Sequence, residues 1–597
     1  MGYGARAQRV PALGGAILTD IDIFKVLLLG KAERGIVDSG GLPVLMDEIY
    51  SMNDFYPKCG GYNNTWMAAY VADSFYKELD KNVSCEMKVL SYVDAGAAQA
   101  TYALLDSAPL KIFDVNAAYR GLVDKSAFGN KIAIKTTKTN NVTMKITANI
   151  ATGATVAYLD SVDNLQVGYY VKLVGEVTAM VVITAIDTAT KKITFSAVTL
   201  GQTLTVAGTT ASRSDVKLEI ALKDSSGNYQ KQETWEVPFA KSDTVGLAVL
   251  VNDLITGSEY VKLAINASNN TPALTQLPAD LTAWTPLTSG SDGSAFVDAN
   301  WNTLANTYLN STEFTIMLAP ESATITHNTN MANFCTSNYK GIYYAQASDG
   351  AVEATLKNFG ASLRGAIVFA MLPSDKWINV VDPTVIGGYK HIPKVGTDTA
   401  LWFNTYSKFG EAKVAAGNKS EMILKCNDQL LDSNNLVHDD QEGVGSRLIK
   451  NYSINICRYR RGKGITNNSA RTFSTDAGYM YQNQIMQFLL YSRSIVTYLR
   501  EVEQDQSGKS AQNSHYNTVW GYMKKKFDAG QLFVGQKADG SDTGFSDVCL
   551  IINDFSINTL ADIANGIEQI FLQFVAVPPI EELILSIASA PVTSVRG

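Results

Sequence analysis

The sequence has 597 residues, of which 46% are hydrophobic and 18% are charged. A chain of this length and composition is expected to fold into about three to five domains, and disorder along the whole chain is excluded. Its 50 Lys and Arg against 57 Asp and Glu leave a formal net charge of −7, which argues against a broad phosphate-binding surface. We therefore expect no direct contact with nucleic acid.

The first third of the chain predicts a flexible arm followed by a small domain of strands and helices. Residues 1–20 are rich in Gly, Ala and Arg and lack periodicity, whereas 21–29 form an apolar run typical of a strand. Apolar residues recur near helical spacing over 66–79, which predicts a helix. Strand patterns follow at 87–92 and 131–135.

Residues 138–212 differ from their surroundings because they are rich in Thr, Val, Ala and Gly and carry few charges. Period-two patterns predict an inserted all-β module here, with a hairpin over 180–195. A second hairpin, over 216–237, is assigned to the first domain.

The rest of the chain predicts an α/β middle region and a mixed C-terminal region. In the middle, strands at 314–318 and 365–370 alternate with segments that can form helices. The last third is predicted to contain, in order, a strand at 449–457, helices beginning after Asp476 and at Asn513, and strands at 547–553, 567–577 and 582–588.

These changes of pattern predict a multidomain fold of mixed α+β and α/β class. The predicted limits are an N-terminal arm at 1–20, a domain made of 21–137 and 213–266, the inserted β module at 138–212, an α/β domain at 267–445, a C-terminal core domain at 446–581 and a terminal arm strand at 582–597.

The cysteines and histidines form no pattern for a metal or a cofactor. None of the six cysteines belongs to a CxxC motif, and the four histidines include no HExxH motif. We expect buried free thiols, no metal and no cofactor. The apolar runs after the basic start are too short for a signal peptide or a membrane span, so synthesis in the cytoplasm without membrane insertion is expected.

Motifs for catalysis are weak throughout. The GKG at 462–464 lacks the spacing of a phosphate-binding loop, and no GxSxG elbow accompanies the scattered Ser, His and Asp residues. The GVGSRL at 443–448 lacks the third Gly of a dinucleotide fingerprint and is interpreted as a turn. No catalytic residue is predicted, although an α/β hydrolase and a β-rich virion adhesin remain as alternatives from other functional classes.

A charge run, Lys524, Lys525 and Lys526, lies on the second C-terminal helix. A solvated helix face is the default interpretation, and a docking surface for an acidic partner is the alternative. The opposite face of this helix is apolar, with Val519, Trp520, Met523 and Phe527.

Several segments together resemble the tail sheath proteins of contractile phage tails and related contractile injection systems. Their order and spacing along the chain carry the resemblance, which covers most of the sequence except 138–212. The segments are GKAERG at 30–35, GNKIAI at 129–134, GSEYV at 257–261, LTSGSDG at 287–293, ART at 470–472 and VPPIEELI at 577–584.

The resemblance implies a structural protein of the virion tail, assembled in the host cytoplasm. Sheath proteins stack as hexameric rings around a rigid tube, and contraction drives the tube through the host envelope for genome delivery. Their middle domain has a subtilisin-like topology without protease activity. The inserted β module at 138–212 resembles the extra surface domain that sheath proteins often carry, which implies a place on the outer surface that is not essential for assembly. The implied partners are further copies of the chain, the tail tube protein, and baseplate and tail terminator proteins. A phage-derived extracellular or type VI-like injection system remains an alternative to a phage tail.

Two sets of site residues follow. The terminal strand can complete the sheet of a neighbouring subunit because its two faces both carry apolar side chains. In sheath proteins a helix of the C-terminal domain faces the tube, which makes the three lysines the candidate tube contact. The arm strand residues are Leu583, Ile584, Leu585 and Ile587.

Overall fold

The protein is a mixed α/β chain built around several sheets. The computed structural model describes residues 18–106, 111–195, 202–240, 245–265, 277–294, 297–385, 387–416, 444–460, 464–502 and 509–579. Within these ranges the chain forms 25 strands and twelve α-helices, which confirms the expected mixed fold class. None of the described helices is long and apolar enough to cross a bilayer.

The first stretch alternates short strands with two helices. Helix α1 begins after Ser51, whose side chain accepts the Asp54 N–H, and it ends at Gly60, where a φ of 84° favours glycine. The elements are β1 (Lys25–Gly30), β2 (Ile36–Val37), β3 (Leu45–Ile49), α1 (Met52–Cys59), α2 (Ala68–Glu78), β4 (Glu86–Ser91), β5 (Thr101–Leu105), β6 (Lys111–Tyr119) and β7 (Leu122–Asp124).

The next stretch forms a small antiparallel barrel. Both predicted hairpins are confirmed, as β11 with β12 and β13 with β14. The strands run in the order β8-β13-β10-β11-β12-β9, and a bridge between Ile146 and Leu159 returns to β8. The elements are β8 (Ile132–Lys145), β9 (Val156–Tyr158), β10 (Tyr170–Val174), β11 (Thr178–Asp187), β12 (Lys192–Phe195), β13 (Thr210–Lys223) and β14 (Tyr229–Pro238).

The two longest strands of this stretch, β8 and β13, run through two separate hydrophobic cores. One core lies entirely within 144–211 and fills the barrel, while the other combines the opposite ends of β8 and β13 with β6 and β15 (Val261–Ile265). The backbone is therefore continuous across both predicted limits of the module, and the limits themselves stay a prediction.

The middle stretch completes a six-stranded sheet in the order β19-β18-β17-β1-β4-β3, which is parallel except for β3. The elements are α3 (Leu247–Val251), β16 (Leu281–Pro286), α4 (Asp298–Tyr308), β17 (Ile316–Leu318), α5 (Ile325–Asn338), β18 (Ile342–Tyr344), α6 (Glu353–Leu363), β19 (Ala370–Met371), β20 (Trp377–Asp382), β21 (Gly388–Pro393) and α7 (Val395–Phe409).

This sheet joins segments that the predicted limits place in two domains. Strand β1, from the segment 21–137, pairs in parallel with β17, from the segment 267–445. Both are buried on both faces, as expected for parallel strands covered by helices. A subtilisin-like topology for the middle region stays a prediction.

The last stretch corrects the sequence expectations for residues 443–457. The predicted strand at 449–457 is wrong over most of its length, since a helix ends at Tyr452 and buries Leu448 and Ile449. The interpretation of GVGSRL as a turn is also wrong, because this helix begins at Val444. The elements are α8 (Val444–Tyr452), β22 (Cys457–Arg460), β23 (Gly464–Asn467), α9 (Gln482–Glu501), α10 (Lys509–Asp528), α11 (Phe545–Val548), β24 (Cys549–Ile552), α12 (Leu560–Ala564) and β25 (Phe571–Phe574).

Candidate functional site

An apolar groove of about 610 Å³ lies between helix α9 and strand β25. Helix α9 lines it with Phe488, Ile495 and Leu499, whose spacing places them along one side of the helix. Strand β25 contributes Leu572 and Phe574. The sequence predicted this helix but not the groove, because one part of its apolar face packs on the core and another part stays open.

The edge of β25 beside this groove has no strand partner within the described part of the chain. Strand β25 pairs antiparallel with β24 along its whole length and with no other described strand. Just after it, Leu532 forms an isolated antiparallel bridge with Ala576, so the edge is open over 571–574. Large apolar side chains remain exposed around it, with exposed fractions of 46% for Phe571 and 45% for both Val575 and Val496. Such an edge can accept a further strand through its main-chain hydrogen-bonding groups.

The segment that follows β25 is anchored where it leaves the groove. Asn483 Nδ2, at the start of α9, donates to the carbonyl oxygen of Val577 over 2.7 Å and to that of Ala412 over 3.0 Å. The described chain is therefore held at Val577, directly before Pro578 and Pro579. The predicted arm residues Leu583, Ile584, Leu585 and Ile587 lie outside the described residues.

The structure separates the three lysines of α10. Lys525 is exposed, and Lys524 pairs with Asp528 one turn later while its side chain is 33% exposed. Lys526 points the other way, and its side chain is only 12% exposed. Lys524 and Lys525 can thus meet a partner, whereas Lys526 is occupied within the molecule.

Lys526 ties three distant parts of the chain together. Its Nζ lies 2.6 Å from Asp20 Oδ2 and 2.9 Å from Glu411 Oε1. It also lies 5.5 Å from the ring centres of Tyr491 and Tyr522, a cation–π arrangement. The hydroxyl of Tyr522 donates to Asp20 over 2.6 Å. No local signal in the sequence could have identified partners so distant along the chain.

The described histidines sit in separate surroundings. His391 Nδ1 is 2.8 Å from Asp349 Oδ2, His515 Nδ1 is 3.1 Å from Glu568 Oε1, and His327 Nε2 faces the carbonyl oxygen of Ala319 at 3.3 Å. No group of three or more His, Cys, Asp or Glu side chains suited to a metal ion occurs among the residues described. The absence of catalysis stays a prediction.

The expectation of buried free thiols is confirmed for the five described cysteines. Burial raises the pKa of each of these thiols, to about 12 for Cys59 and Cys549. The thiols are therefore protonated and poorly nucleophilic near neutral pH.

Comparison with solved structures finds sheath assemblies. The sheath tail protein of Desulfitobacterium hafniense has 10% sequence identity and a TM-score of 0.42, with 93% of each chain covered. The contracted helical sheath of the anti-feeding prophage has 16% identity and a TM-score of 0.37, covering 50% of this chain and 77% of that chain. The contracted PVC sheath complex of an extracellular contractile injection system has 14% identity and a TM-score of 0.37, covering 48% and 75%.

The likeness to sheath proteins thus recurs among solved structures. No family model matches the sequence, and no curated protein matches it. Because the identities and TM-scores are low, the function of this chain has to rest on its own residues.

Proposed function

We propose that the chain is the subunit of a contractile tail sheath, which polymerises as stacked hexameric rings around a tail tube and contracts to drive the tube through a host envelope. The observation that carries the proposal is the open edge of β25 beside an apolar groove. The chain itself supplies a segment with strand-forming composition after this edge, in which four of the five residues at 583–587 are apolar and both faces carry apolar side chains. A phage tail and an extracellular injection system would both use this arrangement.

The occupant of the groove is the terminal strand of a neighbouring copy. Its apolar side chains would cover Val496 and Val575, which line the groove and are nearly half exposed in the single chain. Each apolar side chain of the arm that moves from water to full burial contributes about 1.5 to 3 kcal/mol to docking. Strand pairing adds main-chain hydrogen bonds along β25. The Asn483 anchor on Val577 fixes where each arm departs, so one geometry can repeat from subunit to subunit.

The first test removes the arm by ending the chain after Pro579. We expect a folded, soluble subunit by circular dichroism and no tubes or rings by negative-stain microscopy, because the edge of β25 loses its partner strand. Normal tubes from this truncated chain would contradict strand exchange as the basis of assembly.

A second test places a charge in the groove of the complete chain. Val496→Asp should leave the subunit folded and prevent polymerisation, since a carboxylate would be buried when the arm docks. Val381→Asp is the matched control, because Val381 is 66% exposed on β20, away from the groove. Equal polymerisation of both variants would count against the groove as the docking site.

The tube contact is a further part of the proposal. Lys524 and Lys525 are the accessible cations near the C-terminal end of α10, and an acidic tail tube is the partner that their charge fits. Exposed charge pairs contribute only about 0 to 1 kcal/mol each, so many copies can hold the tube and still release it. Baseplate and terminator proteins would bind the two ends of the polymer.

A further inference from the structure

A buried cluster of four polar side chains lies where the start of α7 meets the β22–β23 hairpin. Lys394 Nζ is 2.9 Å from Asp398 Oδ1, 2.7 Å from Asn467 Oδ1 and 2.9 Å from Cys457 Sγ. Asn467 Nδ2 donates to Asp398 Oδ1 over 2.9 Å. The side chains of Lys394 and Asp398 are each 1% exposed, so the cluster is closed to bulk water.

Two local geometries bring these side chains together. Lys394 and Asp398 are four residues apart at the first turn of α7, so they lie on one side of the helix. Cys457 and Asn467 are directly opposite each other in the antiparallel hairpin, so their side chains point to the same side. Packing of the hairpin on α7 then places an amine, an amide and a carboxyl group in mutual contact.

We propose that Lys394 and Asn467 join spontaneously through an isopeptide bond. The lone pair of Lys394 Nζ attacks Cγ of Asn467, and the bond from Cγ to Nδ2 breaks with its electron pair leaving on nitrogen. The amine and the primary amide thereby become a secondary amide and one ammonia. The reaction requires no oxidant, cofactor or second protein.

Asp398 carries the protons of this step. It first takes a proton from the Lys394 ammonium, which leaves a neutral nucleophile and a carboxylic acid. The acid then protonates the departing Nδ2, to which it is already hydrogen-bonded, and regains a proton from the attacking Nζ. Its second oxygen, Oδ2, is buried and has no hydrogen-bond partner in the described part of the chain.

The surroundings favour the neutral forms that the reaction needs. Burial raises the pKa of Asp398, since a carboxylate is poorly stabilised away from water. Burial likewise raises the pKa of the Cys457 thiol to about 11, which keeps it a donor to Asn467 Oδ1, 3.1 Å away. Donors on this oxygen stabilise the negative charge that develops when Cγ becomes tetrahedral.

The bond would lock the hairpin to α7 by a covalent link that spans 395–466. It replaces a buried ion pair, whose charges are costly to remove from water, by a neutral amide. This inference is independent of the proposed sheath role, because the chemistry involves only residues of one chain.

Mass spectrometry of the complete chain tests the proposal directly. The intact mass, after allowing for the initiator methionine, should be lower than the sequence mass by one ammonia, about 17 Da. Trypsin should fail to cleave after Lys394 and should release residues 391–408 joined to residues 464–471. A chain at its full sequence mass, or one cleaved normally after Lys394, would overturn the proposal.

Variants separate this bond from other losses of ammonia. Lys394→Arg should restore the full mass, and Asp398→Asn should leave most of the chain unlinked because the proton carrier is gone. Lys376→Arg is the matched control, since Lys376 lies beside the cluster on Asp375 and should leave the mass loss unchanged. A mass loss that persists in Lys394→Arg, or linked peptides at the wild-type level in Asp398→Asn, would contradict the mechanism.

Discussion

At the residue scale, two arginines show how burial decides the contribution of an ion pair. Arg34 and Asp124 are joined over 2.8 Å and neither side chain is exposed. The guanidinium also donates to the carbonyl oxygens of Ala118 and Glu259. Arg120 pairs with the Glu259 side chain over 2.9 Å, but its own side chain is 38% exposed.

Replacement of these arginines should therefore have unequal effects on stability. Arg34→Met leaves Asp124 charged and buried, so we expect the free energy of unfolding to fall by about 3 to 5 kcal/mol. Arg120→Met should lower it by about 0 to 1 kcal/mol. Urea unfolding followed by tryptophan fluorescence measures both, and equal losses would refute the role given to burial.

The carboxylate of Glu321 predicts a pH dependence of stability. It accepts the N–H groups of Met67 and Ala68 at the start of α2, over 3.0 Å and 3.1 Å, and burial raises its pKa to about 7. In the unfolded chain a glutamate titrates near 4.3. The folded protein therefore holds more protons than the unfolded chain between these values, and its stability falls as the pH rises through this window.

Glu321→Gln should remove this dependence while keeping an oxygen for the helix. The wild type should lose about 3 kcal/mol relative to Glu321→Gln between pH 4.5 and 7, and only about 0.4 kcal/mol more between pH 7 and 8. Urea unfolding at pH 5, 6, 7 and 8 measures the difference. Glu313→Gln, at a side chain that is 65% exposed, is the control and should follow the wild type. A constant difference between wild type and Glu321→Gln would show that the proton is not involved.

At the scale of elements, the barrel is a candidate for removal because its entry and exit strands are neighbours. Thr143 on β8 lies directly opposite Ser212 on β13. An Asn-Gly turn can join antiparallel strands at such a pair. A chain of residues 1–143, Asn-Gly and 212–597 should therefore keep the remaining β8–β13 pairing and the core that these strands share with β6 and β15.

This deletion should fold but lose stability, because Tyr170 of the barrel belongs to the core that β6 and β15 share with β8 and β13, and Met180 and Val182 pack against that core. Tyr170 is 4% exposed and its ring lies 4.8 Å from that of Phe239. Loss of such an aromatic contact costs about 3 to 5 kcal/mol. Thermal unfolding should show a similar decrease for Tyr170→Ala in the complete chain. A deletion variant as stable as the wild type would mean that the barrel does not stabilise the core that β6 and β15 share with β8 and β13. A folded deletion variant that fails to polymerise would contradict the expectation that the module lies on the outer surface and is dispensable for assembly.

At the scale of the whole molecule, the proposed grip on the tube depends on two of the three lysines. Lys524→Glu with Lys525→Glu should permit polymerisation but prevent extended assembly around an acidic tube, because the accessible charge changes sign. Lys526 is kept, since its bonds to Asp20 and Glu411 stabilise the subunit itself. Electron microscopy of co-expressed sheath and tube measures the outcome.

The same assembly should weaken in salt, which screens exposed charges over about 10 Å at 0.1 M. Lys77→Glu with Lys81→Glu reverses two exposed charges near α2 and serves as the control. Extended, tube-filled particles from the Lys524 and Lys525 double variant, with unchanged salt sensitivity, would show that these lysines are merely solvated.

Local patterns in the sequence determined the elements whose stability is local. The alternation over 180–195 predicted the β11–β12 hairpin, and helical spacing predicted α9 and α10, because side-chain periodicity follows backbone geometry. The same reasoning was wrong for 449–457, where burial of Leu448 and Ile449 in the helical segment overrode a strand-like composition. The order of weak motifs gave the likeness to sheath proteins.

The tertiary structure alone decided which of these elements and side chains meet. It placed β1 beside β17, left one edge of β25 open beside α9, and turned Lys526 away from its two neighbours toward Asp20 and Glu411. It also brought Lys394 against Asn467. The physical reason is that burial and charge pairing depend on chain segments tens to hundreds of residues apart, and no local period or composition records which distant segment will complete a sheet, a groove or a buried cluster.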